Sequence, residues 1–327
     1  MDRLLEVDDL RVEFRTPDGV ASVLNGVSYH VDAGETLAVL GESGSGKSVT
    51  AQTVLGILDR PPAVITGGAI RFHGEDLLTA SARRQREVRG GGIAMIFQDA
   101  LSALNPVFTV GFQIEEQLRL RKGMSRRAAR ARAVELLDLV HIPNAASRVR
   151  EYPHQFSGGM RQRAMIAMAL ALDPELLIAD EPTTALDVTV QAQIMDLLAE
   201  IQAERRMGLV LITHDLGVVA EVADRIAVMY AGRIVEQSDV HTLFRSPAHP
   251  YTAALMNSLP RLDQKGQSLT TITGLPPSLL DIPPGCPFHP RCPRAEAICS
   301  TTRPPHHEPA PGRFSACHFA TEVLQGD

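Results

Sequence analysis

Residues 36–55 read TLAVLGESGSGKSVTAQTVL. The apolar run 36–40 predicts a buried strand. The run GESGSGKS at 41–48 breaks it, and an apolar-rich segment follows that predicts a helix. Strand, glycine loop and helix form a recognisable unit. The loop fits G-x-x-x-x-G-K-[ST], in which glycines let the backbone wrap closely and turn its N–H groups inward. The helix start behind it adds a partial positive charge. On this reading Lys47 reaches the β- and γ-phosphates of a nucleotide and Ser48 ligates Mg²⁺.

Working outward, further strands are predicted at GIAMIFQ (92–98), ELLIAD (175–180), GLVLITHD (208–215) and RIAVMYAGRIVE (225–236). The runs 175–180 and 208–215 are apolar throughout, as strands covered on both faces are. Between them Val190, Ile194, Leu197, Leu198 and Ile201 recur at helical spacing. Strand, helix, strand argues for a parallel sheet with crossover helices. Residues 2–35 and 66–76 alternate apolar and polar and predict a small antiparallel sheet. Residues 105–160 read as helical, with arginines clustered from 119 to 132 that read as a solvent-facing surface. From about 237 proline becomes frequent, and LPRLDQKGQ (259–267) reads as an exposed connector to an extension.

The 327 residues suffice for two domains, or one large domain with an extension. Net charge is −6, which argues against a protein living on nucleic acid. No run of 18 apolar residues occurs, and MDRLLEVDDL lacks the layout of a signal peptide. The expectation is a cytoplasmic address.

Several polar residues fall at predicted strand ends. Asp180 closes LLIAD, where a carboxylate near a phosphate loop can hold Mg²⁺. Glu181 follows and is placed to polarise an attacking water. Gln98 and His214 close two other strands and face the same nucleotide. In FSGGMRQR (156–163), Ser157 is a good helix N-cap, and Gly158 and Gly159 permit close approach at the first turn. The helix behind is largely apolar from Ala164, and its start favours an anion.

This set resembles an ATP-binding cassette (ABC) ATPase. GESGSGKS matches the Walker A loop, IFQ the Q-loop, FSGGMRQ the signature, LLIADE the Walker B segment with its catalytic glutamate, ALD (185–187) the D-loop, and His214 the switch histidine. The signature departs from the commonest pattern only at Met160. The resemblance covers residues 3–240 and implies a RecA-like P-loop α/β core, an antiparallel β subdomain and a helical signature subdomain at about 100–165, all within residues 1–240. It implies that ATP is held by Gly41, Ser43, Gly44, Ser45, Gly46, Lys47, Ser48 and Val49, with Phe14 as the candidate to stack on adenine because it ends the first strand. Ser48, Gln98 and Asp180 would hold Mg²⁺. Glu181, His214 and Gln98 would serve catalysis. Ser157, Gly158, Gly159 and Asp187 would act on the ATP of a second nucleotide-binding subunit in a head-to-tail dimer. Closure of that dimer would pull the Q-loop and helical subdomain, which would grip membrane subunits.

Cys286, Cys292, Cys299 and Cys317 all lie in the last 42 residues. Their spacing is compatible with zinc, an iron–sulfur cluster or free thiols. The segment SPAHPYTAALMNSLP (246–260) and the cysteine pattern resemble the C-terminal extension of oligopeptide and dipeptide importer ATPases, and FSGGMRQR is typical of their D-type subunit. The resemblance implies a [4Fe–4S] cluster on the four cysteines of an extension at 241–327. It also implies a paralogous partner ATPase, two transmembrane permease subunits, an extracytoplasmic peptide-binding protein, and a peripheral place on the cytoplasmic membrane face. Import of nickel or another small solute, and a soluble non-transport role, are the alternatives.

Overall fold

The structure, a computed structural model, describes residues 3–184, 186–258 and 272–325. Contacts within the chain divide these residues into two units.

The first unit is built on Thr79–Ile212 with Asp32–Glu35. Strands Ile93–Ile96, Leu176–Asp180 and Gly208–Ile212 run parallel in that order, with Ile93 opposite Leu176 and Asp180 opposite Ile212. Every residue in them is buried, which is why they read as unbroken apolar runs. The crossover helix Val188–Arg205 buries Ile194, Leu197, Leu198 and Ile201, as its periodicity predicts. The unit also contains the helices Val110–Lys122, Arg126–Leu139 and Gly158–Leu170. Hydroxyls at Thr109, Ser125 and Ser157 cap them, each accepting a first-turn N–H. Of the arginine cluster, Arg119, Arg126 and Arg127 are exposed as expected. Arg130 instead reaches Glu115 at 2.7 Å, and Arg121 donates to the Arg89 carbonyl at 3.0 Å. Part of that face therefore ties helices together.

The second unit comprises Leu5–Val31, Thr36–Leu78 and the described part of Thr213–Asp327. Its antiparallel sheet orders the strands Gly19–Asp32, Arg3–Thr16, Ala63–Phe72 and Glu75–Asp76. In the other sheet, Thr36–Leu40 lies parallel to Arg225–Tyr230, with Leu37 opposite Arg225. The expected single strand 225–236 is a hairpin. Ala231 and Gly232 turn the chain at φ 46° and 75°, and Arg233–Asp239 returns antiparallel. A Cβ at Gly232 would lie 2.4 Å from the Val23 carbonyl oxygen, so the turn must be glycine. Apolar residues on both sides of the turn conceal it in the sequence.

The C-terminal residues continue this sheet. Arg313–Ser315 pairs with Arg233–Asp239, and His307–Ala310 pairs beyond it. Glu236, fully buried, fixes the arrangement by accepting from the N–H groups of Ala248 (2.7 Å) and His249 (2.9 Å) and from Arg313 (3.0 Å). Tyr230, Tyr251 and Phe288 fill the adjacent core with ring centroids 4.6–5.3 Å apart. The connector expected at 259–267 lies outside the described residues.

Candidate active site

The loop 41–48 joins the strand Thr36–Leu40 to the helix Lys47–Leu55. Gly41, Gly44 and Gly46 all have positive φ. A Cβ on Gly41 would lie 2.1 Å from the Met229 carbonyl, and one on Gly46 would strike Leu24 and Met229. Gly44 meets nothing within 4 Å and, with Ser43, forms the exposed crest of the loop. Lys47 is buried and donates to the carbonyls of Gly41 (2.8 Å) and Glu42 (3.0 Å), which folds the loop around its ammonium group. Ser45 Oγ is buried without a hydrogen-bond partner. Ser48 and Val49 are half-buried on the first helical turn. A buried cation, an unpaired hydroxyl and a glycine-shaped helix start form a donor set that fits a phosphate chain.

The expected end of the first strand at Phe14 is not observed. Arg3–Thr16 runs two residues further, because Arg15 still donates to the Pro62 carbonyl at 3.0 Å. Phe14 is half-buried opposite Ala63. His214 lies two residues beyond Ile212 and is exposed, while Asp215 caps the helix Leu216–Val222.

In the first unit, Asp180 ends its strand 4% exposed. Glu181 turns the chain at φ 47°, and its N–H donates to the Ile212 carbonyl at 2.8 Å. Gln98 stands two residues past Ile96 rather than on the strand, and its Nε2 donates to Glu181 Oε2 at 2.9 Å. Thr184 Oγ1 donates to the same oxygen at 2.9 Å. The sequence reading missed Thr184; its only signal was a hydroxyl three residues after Glu181 in a turn. Ser157 Oγ accepts the Met160 N–H at 3.3 Å, and both Ser157 and Gly158 are exposed. At Gly159 the close approach is internal, since a Cβ there would lie 2.7 Å from Val190 Cγ1. Asp187 caps the crossover helix through the Val190 N–H at 3.0 Å. Ala185 lies outside the described residues.

Comparisons with known proteins bear on these elements. Residues 24–184 match the family model for the ABC transporter, and residues 235–299 match that for the oligopeptide/dipeptide transporter C-terminal region. The chain is 51% identical over 321 residues to the oligopeptide transport ATP-binding protein OppD of Salmonella typhimurium, covering 98% of this chain and 95% of that protein. The chain belongs to the ABC transporter ATP-binding family, in its oligopeptide/dipeptide group. Within that group it is also 52% identical over 304 residues to the dipeptide transport ATP-binding protein DppD of Bacillus subtilis, covering 93% of this chain and 91% of that one. Among solved structures, a dimeric post-hydrolysis ATP-binding cassette bound to ADP and Pi matches with TM-score 0.65 and 26% identity. It covers 72% of this chain and 98% of its own. The α/β cassette fold expected from the Walker A segment is therefore the fold of this chain, and as an ABC ATP-binding protein it is an ATPase, with ATP and Mg²⁺ as its ligands.

The expected [4Fe–4S] cluster, and the zinc alternative, are corrected. The four cysteines do line one small cavity with His249, Phe288 and Phe319. Among the described residues, however, no group of three or more His, Cys, Asp or Glu side chains is arranged to hold a metal ion. The cavity wall is largely apolar. Burial pushes the Cys286 thiol up to about 11 and the Cys317 thiol up to about 12. Cys299 and Cys317 are buried and Cys286 and Cys292 half-buried, with the Cys286 N–H donating to the Cys299 carbonyl at 2.8 Å. Among the described residues no helix is long and apolar enough to cross a membrane.

Proposed function

We propose that this chain is the ATP-hydrolysing subunit that powers import of di- and oligopeptides through separate membrane permease subunits. The observation that carries the proposal is the near-full-length likeness to OppD and DppD, including the C-terminal region particular to such transporters. In this reading Lys47 and the loop amides bind the phosphate chain, and Ser45 Oγ supplies a further donor. Ser48, Asp180 and Gln98 hold Mg²⁺, which neutralises phosphate charge when bound. Phe14 is the candidate adenine contact. Glu181 accepts a proton from water as its oxygen attacks the γ-phosphorus. The bond to the β–γ bridging oxygen breaks, and ADP and phosphate leave. Gln98 and Thr184 aim the Glu181 carboxylate, and His214 attends the γ-phosphate.

Ser157, Gly158, Gly159 and Asp187 act on the nucleotide of a second ATPase subunit, a paralogue in this reading. The exposure of the Ser157 helix start leaves it available to that subunit. The domains follow as a cassette at 1–240 and an extension at 241–327. The chain works peripherally at the cytoplasmic face of the membrane, downstream of an extracytoplasmic peptide-binding protein. Reconstitution with the permease and binding protein tests this. Peptides should stimulate ATP consumption and accumulate in the vesicles; stimulation by nickel complexes alone would overturn the peptide assignment.

A further inference from the structure

Glu42, second residue of the phosphate loop, is gripped from the C-terminal region. Arg291 Nη1 and Nη2 donate to its two carboxylate oxygens at 2.6 and 2.9 Å. This is a fork-to-fork pair, the strongest and most directional arrangement for these groups. The Arg291 side chain is 5% exposed and that of Glu42 23% exposed, so water screens the pair poorly. The Glu42 backbone is held as well. Its N–H donates to Tyr251 Oη at 2.9 Å, and its carbonyl accepts from Lys47.

Arg291 is itself fixed. Its Nε donates to the Thr273 carbonyl at 3.1 Å, and Nη1 reaches Tyr230 Oη at 3.3 Å. Its backbone N–H donates to the carbonyl of Phe288, whose ring is wedged against Tyr230 and Tyr251. No rotamer freedom remains for the guanidinium to leave the carboxylate cheaply.

The chemistry makes this more than packing. Glu42 places a negative charge in a loop that takes the polyphosphate of ATP. Unpaired, it would repel that ligand, and the loop would lose its side-chain anchor while keeping its backbone contacts to Tyr251 and Lys47. We propose that Arg291 is a positioning residue for the nucleotide loop: it cancels the Glu42 charge and sets the loop that presents Lys47 to the phosphates. The C-terminal region thus acts on nucleotide binding through Glu42, an inference that rests on the ATPase reading given above.

The test measures binding of a fluorescent ATP analogue to the full-length chain, and kcat and KM in the reconstituted transporter. Arg291→Met should raise the Kd about tenfold and move KM with it. It should change kcat less than about twofold, because chemistry at Glu181 is untouched. The double variant E42Q/R291M should bind more tightly than R291M, since the repelling charge is gone. A merely structural role for Arg291 would lower thermal stability and show no such rescue. R291K keeps the charge but loses the fork and should bind about threefold more weakly; it serves if R291M does not fold. Parent-like binding by R291M or R291K overturns the inference alone. Failure of the parent chain to bind the ATP analogue overturns the ATPase reading and this inference together.

Discussion

Gln98 Nε2 and Glu181 Oε2 stand 2.9 Å apart, although 83 residues separate them in the chain. With Thr184 on the same oxygen, the carboxylate has two donors on one side and is held in one direction. Glu181→Gln should therefore leave ATP binding within about twofold of the parent and lower turnover by at least about a hundredfold. Single-turnover hydrolysis in the reconstituted transporter reads this, and parent-like turnover would remove Glu181 from its role. Thr184→Ala should lower kcat but not raise the ATP Kd.

Ser157 caps its helix while exposed. Ser157→Arg should spare ATP binding to the single chain, measured by titration. In the assembled transporter it should lower turnover by about a hundredfold, the usual cost of losing a donor at a developing charge. Full turnover by an assembly carrying S157R in every relevant subunit would refute action on a neighbouring subunit's nucleotide.

Gly159 is required for packing. Gly159→Ala places a methyl group 2.7 Å from Val190 Cγ1, and a β-branched side chain yields little. The expected loss is about 1–3 kcal/mol, with V190A restoring most of it. Urea denaturation of the two single variants and the double variant measures the coupling.

His249 predicts a pH dependence. Burial holds its imidazole down at about 3, and its Nδ1 accepts the Tyr251 N–H at 3.1 Å. The unfolded chain takes up this proton near pH 6.5. The contribution is full above that value and falls as pH drops from about 6.5 toward about 3, where the folded form at last binds it. Between pH 7 and pH 5 the parent should lose about 2 kcal/mol more stability than His249→Asn, whose amide oxygen can keep the helix cap. Denaturant titrations at both pH values decide it; equal slopes would assign the acid sensitivity elsewhere.

Much of the fold was legible because buried parallel strands write themselves as apolar runs. Leu176–Asp180 and the crossover helix Val188–Arg205 fall where their patterns put them. Glycine, serine and lysine in the loop 41–48 were equally plain, since few other residues satisfy its backbone. Ends were less so. Gln98 and His214 lie two residues past their strands, and the hairpin at Ala231-Gly232 hid within an apolar stretch. The cysteines misled because spacing shows which thiols are near in sequence, not what polarity surrounds them.

The sequence by itself determined the family, the phosphate loop and the order of its motifs, because those depend on residue type at short, fixed spacing. Tertiary structure alone decided that Thr184 joins Gln98 on Glu181, that Gly159 makes room for Val190, and that Arg291 closes on Glu42 from 249 residues away. Such partners are selected by distance and burial after folding, and no local pattern of residues records them.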